Sequence, residues 1–253
     1  MQQKITETVN YSKRMIEIPY NQFVWTMRDY KASLEVLKKT IVKIKENQFN
    51  TLEALRRMSE EERIERLADS RFLDVHRHRI PDITWQSLLM SIVGEFEYCL
   101  ALLCEHIASV LARVASISLK SEFHSSLWEA LKPKSNYIGD SKLFLGALFP
   151  DTREVFKKYK SFINNLSFFR NCVAHNGGFI PLLEPKHEKK VKRCRAFCKG
   201  KKGIDISVHG QIQVRPEFLE YSIDTLLEIF REIFLMVKDQ AHFVSEVTEL
   251  EGK

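Results

Sequence analysis

Residues 87–114 read SLLMSIVGEFEYCLALLCEHIASVLARV, and this stretch decides the fold. Leu88, Leu89, Ile92, Phe96, Leu100, Leu103, Ile107, Val110, Leu111 and Val114 recur at helical spacing, the pattern of a helix buried along most of its length. The spacing predicts a core helix from Asp82 to about Leu119. Glu95, Glu97, Glu105 and His106 interrupt it, so no apolar run is expected to reach the roughly 18 residues of a membrane span.

Helical periodicity continues on both sides. Before the core helix, Gln22 to Asn47 reads as a helix whose Met27, Tyr30, Leu34, Leu37, Ile41 and Ile44 form a seam, to be filled within the fold or across a dimer. Ser59-Glu60-Glu61-Glu62 opens a short charged helix to about Ser70 in the manner of a capping box. Behind it, a region broken by Pro133, Gly139, Gly146 and Pro150 precedes a helix from about Asp151 to residue 175. Pro181 to Gly203 reads as a basic loop, Ile204 to Val214 as a hairpin turning at His209-Gly210, and Pro216 as the start of a final long helix. The expectation is an all-α chain with a small β-hairpin insertion. Residues 1–79 are an N-terminal helical extension and residues 80–253 the main helical domain.

Length and composition suit an ordinary globular protein. The chain has 253 residues, 44% of them hydrophobic and 28% charged, enough to bury a core. Met1-Gln2-Gln3-Lys4 lacks the apolar segment of a signal peptide, and five cysteines without framework spacing suit a reducing compartment. A cytoplasmic location without membrane attachment is expected. Cys99, Cys104 and Cys172 read as small core residues. The net charge of +6 is compatible with a polyanionic partner.

Chemistry concentrates at Arg170-Asn171-Cys172-Val173-Ala174-His175, followed by Asn176-Gly177-Gly178. The apolar face of this helix is Phe156, Tyr159, Phe162, Leu166, Phe169 and Val173. At about 100° per residue, Asn171 and His175 fall nearly opposite it, with Lys157, Lys160 and Asn164. Asn171 and His175 are one turn apart, so the amide can orient the imidazole. Arg170 lies about 140° round the helix from His175 and must reach towards it, or the helix must open at its end. The last turn, at the negative pole of the helix, is a favourable place for a cationic imidazole and thus for a general acid or base. Arg170 offers a planar fork for phosphate.

Arg170-Asn171-x-x-x-His175, at the end of a late helix in an all-helical domain, resembles the signature of the HEPN superfamily. The local form resembles HEPN proteins of bacterial toxin–antitoxin and abortive-infection systems. The resemblance spans about residues 80–245 and implies a HEPN-like bundle and a metal-independent endoribonuclease leaving 2′,3′-cyclic phosphate ends. It implies that His175 is the general acid or base, Arg170 the phosphate-binding group and Asn171 the orienting polar residue. RNA would be the substrate, with Lys157, Lys160 and Asn164 beside it. A homodimer facing two motifs into one cleft is implied, with an antitoxin or regulatory protein as a further partner. No metal and no other cofactor is expected, since no aspartate or glutamate lies between Glu154 and Glu184. Glu95 and Glu97 are the carboxylates that other helices would supply, and Glu95 alternatively lines the site or faces solvent.

Two weaker features stand beside this. Lys186 to Lys202 holds nine lysines and arginines in seventeen positions, read as solvated charge or as a salt-sensitive RNA-backbone clamp beside the motif helix. Cys194 and Cys198 with His187 or His209 suggest zinc, but a separation of four and the lack of a second cysteine pair weigh against it. A helical module that binds RNA or protein without cutting, and a purely structural helical domain, are the competing readings.

Overall fold

A computed structural model describes residues 2–57, 80–119, 137–180 and 185–240. Within them the chain is mainly helical. The core stretch forms α2 (Ile80–Leu119), preceded by α1 (Gln2–Arg56). Then come α3 (Tyr137–Leu148), α4 (Thr152–Lys158), α5 (Lys160–Asn176) and α6 (Pro185–Cys198). Two short strands, β1 (Ile204–Ile206) and β2 (Ile212–Val214), pair antiparallel with Ile204 opposite Val214, and α7 (Pro216–Gln240) closes the described chain. The described residues are thus helical but for one small hairpin, as the sequence leads one to expect. The charged helix expected at Ser59 lies outside the described residues.

Several expectations are corrected. The segment Pro185 to Cys198 is a helix, not a loop; Val191, Cys194 and Cys198 are buried at spacings of three and four, a narrow stripe within a strongly basic run. The region around Gly139 and Gly146 is also helical. Gly146 is there for packing: a Cβ would stand 3.0 Å from the Arg153 side chain, whose Nε donates to the Gly146 carbonyl at 2.6 Å. The helix expected from Asp151 is divided at Tyr159 (φ −98°, ψ 9°) into α4 and α5. By length and composition, Pro81–Leu111 is apolar enough to cross a membrane, with a mean hydropathy of 1.6, and 56% of that window is buried against protein. The four interruptions are too few to lower it further.

The chain forms two compact units, one from residues 1–27, 93–163 and 224–253, the other from residues 28–92 and 164–223. The first unit is built on aromatic rings. Tyr20 stacks on Phe234 (centroids 4.2 Å apart), Phe23 lies 4.7 Å from Phe230, and Phe96 meets both Phe23 and Phe230 edge-on. Such pairs add to the area they bury. Helix α1 runs unbroken through Pro19, well before the expected start at Gln22. A proline removes the N–H that would reach four residues back, here to Met15. His106 Nδ1 donates to that same Met15 carbonyl at 2.6 Å, which removes the cost of leaving it bare.

In the second unit, Leu34 and Ile41 of the α1 seam are buried, so the seam is filled within the chain. Phe169 of α5, Phe197 of α6 and Phe218 of α7 form a chain of ring contacts at 5.9 and 6.4 Å. Across both units the five cysteines are buried, and none forms a disulfide.

Candidate active site at the end of the motif helix

Where α5 stops is set by two glycines. Gly177 (φ +58°) and Gly178 (φ +85°) take the left-handed backbone that side chains resist. The Gly178 N–H then donates back to the Cys172 carbonyl at 3.1 Å. Beyond it the chain joins the hairpin: Ile212 N–H donates to the Gly178 carbonyl and Ile180 N–H to the Gly210 carbonyl, both at 2.9 Å. Gly178 is also a close approach, since a Cβ there would stand 2.6 Å from the buried Gln86 amide. That amide donates to the Ile212 carbonyl at 2.7 Å. The last turn of α5 is thus fixed against the hairpin and the start of α2.

On this helix the polar residues fall as their spacing predicts. Phe162, Leu166 and Phe169 are buried, while Asn164, Asn171 and His175 are exposed and Arg170 is half-buried. Arg170 Nη1 donates to Asn171 Oδ1 at 3.0 Å. The amide is therefore used to hold the guanidinium rather than the imidazole. Among the described residues no side chain is hydrogen-bonded to the exposed His175 ring.

Beside the motif, α5 and α6 enclose a cleft of about 320 Å³ lined by Asn164, Asn165, Ser167, Phe168, Asn171, Arg193 and Cys194. The buried Cys194 thiol donates to the Asn165 Oδ1 at 3.4 Å and ties the two helices together. Asn164 and Asn171 meet in this cleft, while His175 lies one turn beyond Asn171 on the same stripe. Lys157 and Lys160 are exposed but belong to the first unit and are not among its lining residues. Lys157 lies 3.5 Å from Glu154.

Ser167 and Phe168 escaped the sequence reading, and Arg193 entered it only as one cation of the basic segment. The signal for Arg193 is the Val191–Cys194–Cys198 stripe, which makes its segment a helix and turns the arginine towards α5. Glu95 is half-buried in the first unit and accepts a hydrogen bond from the Cys99 thiol at 3.3 Å. Glu97 is buried in the same unit. Burial pushes the Cys198 thiol up to about 12, so it is protonated at neutral pH and is no nucleophile. Among the described residues no three His, Cys, Asp or Glu side chains gather where they could hold a metal ion.

Compared with protein-family models, curated proteins and solved structures, the chain matches none. The site must be read from its own residues.

Proposed function

We propose that this chain is a HEPN-like endoribonuclease acting through Arg170, Asn171 and His175. The observation that carries the reading is the outward-facing His175 ring on the same stripe as an Asn171 that holds the Arg170 fork. A base removes the proton of a ribose 2′-hydroxyl, and its oxygen attacks the adjacent phosphorus. The 5′-oxygen leaves with a proton from an acid, giving a 2′,3′-cyclic phosphate and a 5′-hydroxyl. Arg170 binds the phosphoryl oxygens and stabilises their growing charge. His175 serves one proton transfer, and the same histidine of a second copy serves the other, so a homodimer completes the site. The chemistry asks nothing of a metal ion or other cofactor. A toxin or phage-defence effector held back by a partner protein is the biological setting this activity suits.

The test is RNA cleavage in EDTA by wild type, Arg170→Ala and His175→Ala, with product ends mapped. The expected result is cyclic phosphate ends from wild type and a loss of about 10²-fold or more in each folded variant. Equal cleavage by His175→Ala, or none by a folded wild-type dimer on total RNA, overturns the proposal. The second reading, an RNA-binding module that does not cut, is favoured by the exposed cations of α6, which form no part of the Arg170–His175 set.

A further inference from the structure

Helix α6 carries charge on two flanks. At about 100° per residue, Arg193 and Arg195 project about 200° apart. Arg193 lines the cleft beside α5, and Arg195 lines a separate groove on the hairpin side. That groove, of about 520 Å³, is walled by Arg195, Lys199, Lys201 and Arg215, with Asp205 as its one carboxylate. Asp205 Oδ1 already accepts the Ile206 N–H at 2.7 Å. Among the described residues none of the four cations has a carboxylate within ion-pair distance.

Elsewhere some cations are paired: Lys38 meets Glu35 and Glu220, Lys158 meets Glu232, and Lys238 meets Glu17. Others, Lys39, Lys43 and Lys142 among them, also have no carboxylate within ion-pair distance among the described residues. Four cations gathered round one groove that holds a single carboxylate, Asp205, leave a net positive charge that an anion seated among them offsets. The groove walls are held rigidly. Gly203 (φ +79°) closes so tightly on α7 that a Cβ would stand 2.5 Å from the Phe218 nitrogen, and its carbonyl accepts the Arg215 N–H at 2.7 Å. Arg215 is thereby fixed across from α6.

We propose that the groove between α6 and the hairpin binds the phosphodiester backbone of single-stranded RNA, outside the Arg170–His175 site. The choice of RNA rests on the ribonuclease reading; the cation cluster does not. Two guanidinium forks suit phosphate oxygens. Lys201, which lines the groove, lies over the Phe197 ring at 4.5 Å and the exposed Tyr221 ring at 5.7 Å, so these aromatic side chains lie behind the lysine rather than in the groove wall. An acidic protein partner would want apolar anchors at the centre of its interface; here the groove isoleucines, Ile204 and Ile206, are buried.

The experiment measures binding of a fluorescent single-stranded RNA in EDTA over a range of salt, in a His175→Ala background so that nothing is cut. Arg195→Gln/Lys199→Gln/Arg215→Gln is compared with a control of equal charge change, Lys39→Gln/Lys43→Gln/Lys142→Gln. All six positions are exposed, and circular dichroism checks folding. The groove variant should bind about tenfold or more weakly near 0.1 M salt, with the slope of log K against log salt reduced by about 2. The control should match its parent. Equal binding by groove variant and control overturns the proposal. Groove-dependent binding of poly-glutamate without binding of RNA also overturns it, in favour of an acidic protein. Cleavage by the His175-bearing chain is scored separately. If RNA is bound through the groove but never cut, only the ribonuclease reading fails. If RNA is cut and the groove variant behaves as the control, only the groove proposal fails.

Discussion

Helices α2 and α6 are made of opposite materials. Between Trp85 and Val110, α2 buries Leu89, Ile92, Val93, Phe96, Cys99, Leu100, Leu103, Cys104 and Ile107; it is helical because burying that surface requires it. Among the described side chains of α6, Val191, Cys194 and Cys198 are buried, and the others are Lys192, Arg193, Arg195, Ala196 and a half-buried Phe197. An apolar helix of this kind is replaceable by other apolar residues of like volume. A basic helix with a three-residue core holds its charges where they are for another reason. The difference separates residues that hold the fold from residues that are held by it.

The largest effect should fall on the first kind. Phe96 is fully buried and meets two other rings, so Phe96→Ala should cost about 3–5 kcal/mol, read from the denaturant midpoint. Arg195→Gln and Lys199→Gln should each change stability by under about 0.5 kcal/mol. Should the Arg195 and Lys199 substitutions unfold the chain as Phe96→Ala does, these cations hold the fold rather than being held by it.

Next comes the pair of glycines that ends α5. Both have positive φ, yet an added methyl at Gly177 meets nothing within 4 Å, whereas at Gly178 it meets the Gln86 amide. Gly177→Ala should cost about 1 kcal/mol of backbone strain. Gly178→Ala should cost about 2–4 kcal/mol, because the Gln86 bond to Ile212 is lost as well. Equal costs would show that conformation, not close packing against α2, fixes the site helix.

His106 tests the same distinction inside the apolar helix. His106→Ala strips the Met15 carbonyl of its donor and should cost about 1–3 kcal/mol. In a Pro19→Ala background the restored N–H at residue 19 can reach that carbonyl, and the cost should shrink. A cost unchanged by Pro19→Ala would mean that His106 acts through packing alone.

Legibility followed the density of buried residues. The spacing of Leu89, Ile92, Phe96, Leu100 and Leu103 made α2 plain, and Pro216 with Ile223, Leu226, Phe230 and Ile233 did the same for α7. The hairpin was readable because Ile204, Ile206, Ile212 and Val214 alternate about His209-Gly210. Helix α6 was hidden because three small buried side chains carry little weight against nine cations in seventeen residues. The start of α1 was hidden because Pro19 is harmless only in company with His106, 87 positions later, which no local pattern reveals. At the site, the polar stripe of Asn164, Asn171 and His175 was visible from periodicity. The pairing of Arg170 with Asn171, and Arg193 arriving from α6, depend on rotamers and on a packing partner that spacing does not encode.

The smallest effect belongs to charges that are paired, the counterpart of the groove cations Arg195, Lys199 and Arg215. In the first unit Glu232 accepts from Lys158 Nζ at 2.7 Å and from the Tyr159 hydroxyl at 2.9 Å. Burial raises the Glu232 carboxyl, but the hydrogen bonds from Lys158 and Tyr159 outweigh it and hold the group below its ordinary 4.5. A lowered carboxyl stabilises the fold above its unfolded value, and the gain is lost as pH falls through the folded value. Burial pushes Tyr159 up to about 12 from an ordinary 10; that contribution is complete below pH 10 and is lost as pH climbs towards 12. Lys158 is largely solvated, so screening keeps the pair weak. Glu232→Gln should lower Tm at pH 7 by about 2 °C or less and remove part of the fall below pH 4.5. Wild-type and Glu232→Gln Tm profiles that run parallel from pH 7 to pH 3 would mean that this ion pair, unlike the aromatic packing beside it, contributes nothing to holding α4 on α7.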